Sequence, residues 1–210
     1  MKSEGAAIIL AGGKSSRLGR DKALLPWQGT TILAALATRL QQAFAHVLIV
    51  TTPDHQLASP AGRIVYDLIP GKNSLGGLHG GLMQSPAQKN FVCACDMPLL
   101  LPELAQDLMA RSSGFEVIIP RVHDRLQPLC AVYDKTCLPF ITRALAAGQL
   151  RMTGWLSQVR VRVVAEAELR QVDATLQSFY NVNTEADYRQ LQAVFSEKCT
   201  AAPVTGAAGE

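Results

Sequence analysis

Short apolar runs alternate with stretches of helical period along the first three-quarters of the chain. Ala6–Ala11 reads as a buried strand, and a glycine-rich loop follows it. Thr30–Phe44 fits a helix, because Leu33, Leu36, Leu40 and Phe44 fall on one stripe. His46–Val50 and Arg63–Tyr66 read as the next strands, and Gly80–Ser85 as part of a helix whose start is crowded with glycine. Phe91–Cys95 is another short strand, Pro98–Ala110 another helix and Val117–Ile119 another strand. Continuous apolar strands separated by helices need cover on both faces, which implies a mostly parallel sheet between two helical layers.

The alternation loosens after Pro120. Leu129–Tyr133 and Val159–Val164 read as strands, with Leu138–Ala147 as a helix between them. A last helix starts after Thr184: Asp187 stands three residues on, the spacing of a capping box, and Tyr188, Leu191 and Phe195 give an apolar face. Small and polar residues predict a loose tail over 201–210. No internal repeat or linker divides the rest, so the pattern predicts an α/β fold, a three-layer α/β/α domain, over residues 1–200.

Composition adds limits. Of 210 residues, 48% are apolar and 18% charged, which suits a globular chain. A net charge of +3 permits an anionic ligand but supplies no dense Lys/Arg block for nucleic acid. The apolar run at Ala6 is too short to span a membrane, so neither nucleic acid nor membrane is an expected partner. Five cysteines, at 93, 95, 130, 137 and 199, read as buried thiols in a reducing cytoplasm, with a metal or redox role as the alternative, since Cys93 and Cys95 find no second Cys/His pair of zinc spacing.

The chemistry gathers where strands end. Leu10-Ala11-Gly12-Gly13-Lys14-Ser15-Ser16-Arg17-Leu18-Gly19-Arg20-Asp21-Lys22 directly follows the first strand, where an open parallel sheet places ligands. Its glycines let backbone N–H groups approach phosphates, and Arg17 and Lys22 add charge-assisted donors. The spacing is neither a Walker A loop nor a dinucleotide fingerprint. Asp96 follows the Phe91 strand; it either caps the turn or offers magnesium one carboxylate, with phosphate and water completing the shell. Asp67 ends another strand, ahead of the glycines at 71, 76, 77, 80 and 81, and can accept from base or sugar donors or assist magnesium through water. His79 reads as structural or surface-lying. Together these residues suit in-line attack on the α-phosphorus of a nucleoside triphosphate.

The first motif resembles the L-A-G-G-x-S-x-R-x-G-x-D-K signature of the MobA-like nucleotidyltransferases. The wider pattern is similar to the molybdenum cofactor guanylyltransferase family, through Tyr66-Asp67, Leu75-Gly76-Gly77, Cys95-Asp96-Met97-Pro98, the segment from Gln127 to Tyr133, and Phe179-Tyr180-Asn181-Val182-Asn183-Thr184. That resemblance implies a Rossmann-like domain moving GMP from GTP to the phosphate of molybdopterin or its molybdenum-bearing form, with Mg2+ and with pyrophosphate as the second product. It implies nucleotide contacts at Leu10, Ala11, Gly12, Gly13, Lys22, Asp67 and Asp96, and catalytic roles for Arg17, Lys22 and Asp96. Asp96 would hold the metal, and Gln127, Arg151, Asn181 and Asn183 would face the acceptor. The nucleotide half would run over about 6–110 and the acceptor half over about 111–195. Transient contact with cofactor-synthesis proteins and acceptor molybdoenzymes is also implied.

The chain departs from the family pattern at Asn73-Ser74-Leu75-Gly76-Gly77, at Gln127-Pro128, at Glu185 and at Val50-Thr51-Thr52. Those positions bear on base and acceptor choice. A cytidylyltransferase on the same pterin, a nucleotidyltransferase on a sugar or polyol phosphate, and a delivery protein that binds without turnover are the alternatives.

Overall fold

The computed structural model describes residues 3–12, 21–55, 57, 61–69 and 71–200, leaving aside the side chains of 194–200. The elements follow in order as β1 (Ser3–Leu10), β2 (Pro26–Trp27), β3 (Thr30–Thr31), α1 (Ile32–Ala43), β4 (Phe44–Thr51), β5 (Arg63–Tyr66), α2 (Asn73–Gln84) and β6 (Lys89–Ala94). Then come α3 (Pro102–Ala110), β7 (Val117–Val122), β8 (Arg125–Leu126), β9 (Cys130–Asp134), α4 (Leu138–Ala146), β10 (Val161–Val164), α5 (Glu166–Leu169) and α6 (Glu185–Thr200).

One sheet carries the order β10-β7-β9-β6-β1-β4-β5, with β8 hydrogen-bonded to β7. Neighbours around β1 and β4 run parallel, as do β7 and β10, while β9 is antiparallel to both β6 and β7. The mostly parallel α/β/α architecture expected from the pattern is therefore present. The loosened order after Pro120 corresponds to the reversed β9.

β1 shows why the strands are apolar throughout. Its side chains alternate between two cores. Ala7 and Ile9 join Leu33, Leu36, Leu104 and Leu108 of α1 and α3, whereas Ala6, Ile8 and Leu10 join Leu75, Leu78, Leu82 and Ile141 of α2 and α4. A strand covered on both faces has no side left for polar residues.

Three of the boundaries that differ from the sequence pattern have an identifiable cause. Phe44 opens β4 with an extended backbone instead of closing α1. The helix expected from Pro98 begins at Pro102, because a residue before proline is driven out of the helical region; Leu101 has φ −85° and ψ 128°. α2 starts at Asn73 and takes in all four glycines from Gly76 to Gly81. A Cβ on Gly81 would lie 2.7 Å from Ile8 Cγ2 and 3.1 Å from Val50 Cγ2, so close helix–sheet contact overrides glycine's poor helix propensity. The hairpin β2–β3, the strand β8 and the helix α5 carry too short a period to announce themselves.

A third cluster fastens the chain's end to the site. Leu25, Trp27, Ile32 and Ala35 pack with Val182, Tyr188 and Leu191, and the Tyr188 hydroxyl donates to the Pro26 carbonyl at 2.7 Å. The sequence's capping box is present too. Asp187 Oδ2 accepts from the Asn183 and Thr184 N–H groups, while Thr184 Oγ1 accepts from the Asp187 N–H. The backbone that carries Asn183 is thereby held at both ends.

Candidate active site

β1, β4 and β6 run parallel, so their C-terminal ends share one edge of the sheet. Leu10 ends β1, and its carbonyl accepts from Cys95 N–H at 3.1 Å, just past β6. Ala11 N–H donates to Val50 O at 2.8 Å, which keeps the start of the glycine segment tied to β4. The Leu10 and Ala11 side chains are buried, so these residues can offer a ligand their backbone only. Gly12 lies against Thr51 and Thr52, with an added Cβ falling 3.7 Å from Thr51 Cα. Gly13 and Arg17 lie outside the described residues.

Lys22 is placed by a single turn of 3-10 helix, Lys22–Leu24, whose N-cap Asp21 accepts from Ala23 N–H at 3.0 Å. Its ammonium donates to Asp96 Oδ2 at 3.3 Å and to Asn183 Oδ1 at 2.7 Å. One cation thus gathers residues from three distant parts of the chain. The Asp96 carbonyl accepts from Val182 N–H at 2.9 Å, which ties the Asn181–Asn183 segment to the end of β6.

Asp96 is electrostatically uncomfortable. Burial pushes its carboxyl above the ordinary value, and the Lys22 charge and hydrogen bond only partly counter that. Its Oδ1 is buried without a hydrogen-bond partner among the described residues. A buried carboxylate oxygen left unpaired costs stability unless something cationic or protic meets it. Among the described residues, no three His, Cys, Asp or Glu side chains gather into a metal cage. An oxygen-rich ion that takes most of its ligands from phosphate and water is compatible with one such carboxylate.

Asp67 stands beyond β5, where its N–H donates to Thr51 O at 2.8 Å and its Oδ1 accepts from Ile69 N–H at 3.0 Å. An added Cβ on Gly76 would come within 3.1 Å of Asp67 Oδ2, so the glycine leaves room for that carboxylate. Gln127 donates its N–H to Pro120 O at 2.9 Å, and Leu129 O accepts from Ala94 N–H at 3.1 Å, which brings this segment alongside the end of β6. Asn181 turns its amide to Phe179 O at 3.1 Å. Arg151 is exposed in the turn after α4 and takes no part in the hydrogen bonds around Lys22. The structure joins Lys22, Asp96 and Asn183 directly, and sets Leu10, Ala11 and Gly12 at the same edge.

A family model, the MobA-like NTP transferase domain, matches the chain over residues 7–167. The chain belongs to the MobA-like NTP transferases. A relative from Pelotomaculum thermopropionicum named a probable molybdenum cofactor guanylyltransferase is 38% identical over 184 residues, covering 88% of this chain and 90% of its own. The molybdenum cofactor guanylyltransferase of Desulfosudis oleivorans is 31% identical over 188 residues, covering 89% and 93%. The solved structure of molybdopterin-guanine dinucleotide biosynthesis protein A from Archaeoglobus fulgidus shares the fold, with a TM-score of 0.78 at 24% identity over 91% of this chain and 99% of that one. Fold and relatives place this MobA-like NTP transferase among the nucleotidyltransferase enzymes.

His79 and His55 of this MobA-like NTP transferase differ in how much the sequence says of them. His79, expected to be structural or at the surface, is buried between α2 and α4, where its Nε2 meets Thr142 Oγ1 at 3.1 Å. Burial lowers its pKa, and Asp67 partly counters that. His55 stands in the loop after β4 and bonds Asp21 and Thr51. Nothing in the run Pro53-Asp54-His55 marks it, because its partners come from another loop. Among the described residues, no helix is long and apolar enough to cross a membrane.

Proposed function

We propose that the protein transfers GMP from GTP to the terminal phosphate of molybdopterin or its molybdenum-bearing form, with magnesium, releasing pyrophosphate. The observation that carries this reading is the Lys22 ammonium bridging Asp96 and Asn183, at 3.3 Å and 2.7 Å, in a MobA-like chain. Its curated relatives named for guanylyl transfer support the choice of guanine and of the pterin.

In this reading the triphosphate lies along the segment from Gly12 and Gly13 to Lys22, with backbone N–H groups and the Arg17 and Lys22 charges against its phosphates. Asp67 accepts from the nucleoside. The acceptor lies on the side of Gln127, Arg151, Asn181 and Asn183. An acceptor phosphate oxygen attacks the α-phosphorus in line. A new phosphoanhydride bond forms as the bond to the β-phosphate's bridging oxygen breaks, and pyrophosphate leaves with that electron pair. A phosphomonoester is largely dianionic at neutral pH, so no protein base is needed. Lys22 neutralises negative charge throughout, and its hold on Asn183 keeps the acceptor segment beside it.

Asp96 Oδ1 is the protein oxygen that fits magnesium, being buried, anionic and unpaired among the described residues. A bound ion would supply charge neutralisation to the phosphate oxygens and orient them. The division of labour places the nucleotide on about 6–110 and the acceptor on about 111–195 of a single domain. A cytoplasmic setting agrees with the free thiols at Cys93, Cys95, Cys130 and Cys137.

The test is turnover. Pyrophosphate should appear from GTP only when magnesium and molybdopterin are both supplied. Tight binding of both substrates without pyrophosphate would favour a delivery protein instead.

A further inference from the structure

We infer that His55 is a positioning residue for Lys22, acting through Asp21, and that it sets how well the protein holds nucleoside triphosphate. The inference rests on the nucleotidyl-transfer reading of the site.

Asp21 does two jobs with two oxygens. Its Oδ1 caps the short turn that starts at Lys22, accepting from Ala23 N–H at 3.0 Å. Its Oδ2 meets His55 Nε2. A carboxylate only accepts, so the ring carries its proton on Nε2 and donates it to Asp21. The other ring nitrogen, Nδ1, lies 3.0 Å from Thr51 Oγ1, and in the neutral ring the hydroxyl donates to it.

The far end of this chain of bonds is rigid. Thr51 is 0% exposed at the end of β4 and pairs with Tyr66 of β5. Its carbonyl also accepts from Asp67 N–H at 2.8 Å. The imidazole therefore pins the turn bearing Lys22 to the same β4 end that fixes Asp67. Without it, Asp21 would keep its cap but lose its tie to the sheet. Lys22 has three rotatable donors on a flexible stem, so its aim depends on where its backbone is held.

Thr51 and Thr52 stand at a departure from the family pattern, and the structure shows what Thr51 does. Its hydroxyl is committed to His55 and its side chain is buried. It acts as an anchor for the Lys22 turn and leaves no polar group free for a ligand.

The experiment measures affinity for GTP, CTP, ATP and UTP, each with magnesium, alongside thermal stability. It compares wild type, His55→Ala, His55→Gln, Thr51→Val, Lys22→Ala and the His55→Ala/Lys22→Ala double variant. For the nucleotide that wild type holds best, His55→Ala should weaken binding by about tenfold through misplacement alone, with the fold intact. His55→Gln, which keeps a donor and an acceptor, should recover part of the loss. In the Lys22→Ala background, removing His55 should cost nothing further.

Wild-type affinity in His55→Ala, or an equal loss with and without Lys22, would overturn the inference. Thr51→Val keeps the buried shape and removes the anchor; if His55→Ala does not fold, weaker binding by folded Thr51→Val supports the inference and wild-type affinity overturns it. A preference for CTP would overturn the guanine assignment alone and leave the His55 comparison intact. A wild-type chain that holds none of the four nucleotides would sink both readings.

Discussion

The Lys22 ammonium donates to the Asn183 side-chain oxygen at 2.7 Å, joining residues 161 positions apart. Few contacts in the protein depend so heavily on the whole fold. Lys22 is delivered by the turn after the glycine segment, and Asn183 by a capping box that packs on the β2–β3 hairpin through Tyr188 and Leu191. Removing the cation should be felt on both sides. Lys22→Ala is expected to weaken nucleotide binding by about 10- to 100-fold, the worth of a charge-assisted hydrogen bond. Equilibrium binding and the KM for nucleotide check this.

Asp96 presents the opposite case, a group whose ionised form the fold disfavours. Burial raises its pKa, and Oδ1 has no hydrogen-bond partner among the described residues. Asp96→Asn should lower turnover by about 10²-fold or more while the protein stays folded, because the lost charge serves the reaction and not the core. Pyrophosphate release and a melting curve, measured on the same sample, separate the two effects. Near-normal magnesium-dependent turnover would remove Asp96 from the metal role.

Gly81 carries a purely structural prediction. An alanine Cβ there would meet Ile8 Cγ2 at 2.7 Å and Val50 Cγ2 at 3.1 Å. Gly81→Ala should destabilise the protein by about 1–3 kcal/mol through overpacking, despite alanine's better helix propensity. Chemical denaturation reads this directly.

Asp134 supplies a pH-dependent test away from the active site. Burial pushes its carboxyl up, but bonds from Thr136, Gln88 and Lys89 outweigh that and hold it below the ordinary value. A depressed folded-state pKa adds stability that is present above the unfolded value and is lost as pH falls through the folded one. Asp134→Ala should therefore cost about 1–3 kcal/mol at neutral pH. The difference from wild type should begin to shrink as pH falls through about 3.9 and continue to do so below it. Denaturation at a series of pH values checks both size and sign.

Much of this architecture is legible in the chain because buried parallel strands must be apolar on both faces. Ala6–Ala11 and Phe91–Cys95 announce themselves that way. The capping box at Thr184 and Asp187 is equally local, and the structure contains it. Where the sequence misleads, a distant contact or a neighbouring proline decides. The helix read over Gly80–Ser85 begins earlier, at Asn73, and its Gly81 lies hard against Ile8 and Val50. The helix after β6 starts late because Pro102 constrains Leu101, whose N–H donates instead to Ser178 Oγ at 3.0 Å.

The site divides in the same way. Lys22 is visible as a basic residue closing the glycine-rich motif and Asp96 as a carboxylate just past a buried strand, and the structure joins them. The family signature singles out Asn183, but only the fold lays it on Lys22. His55 has no local signal at all, since Asp21 lies 34 residues away in sequence. Residues whose role is made by crossing loops stay hidden until the loops are placed.

The most direct measurement of the account offers the purified protein molybdopterin, magnesium and the four nucleoside triphosphates together, and identifies the pterin product by mass. The guanine dinucleotide, formed in step with pyrophosphate, is the predicted result. A cytosine dinucleotide, or pyrophosphate released with no pterin product, would contradict it.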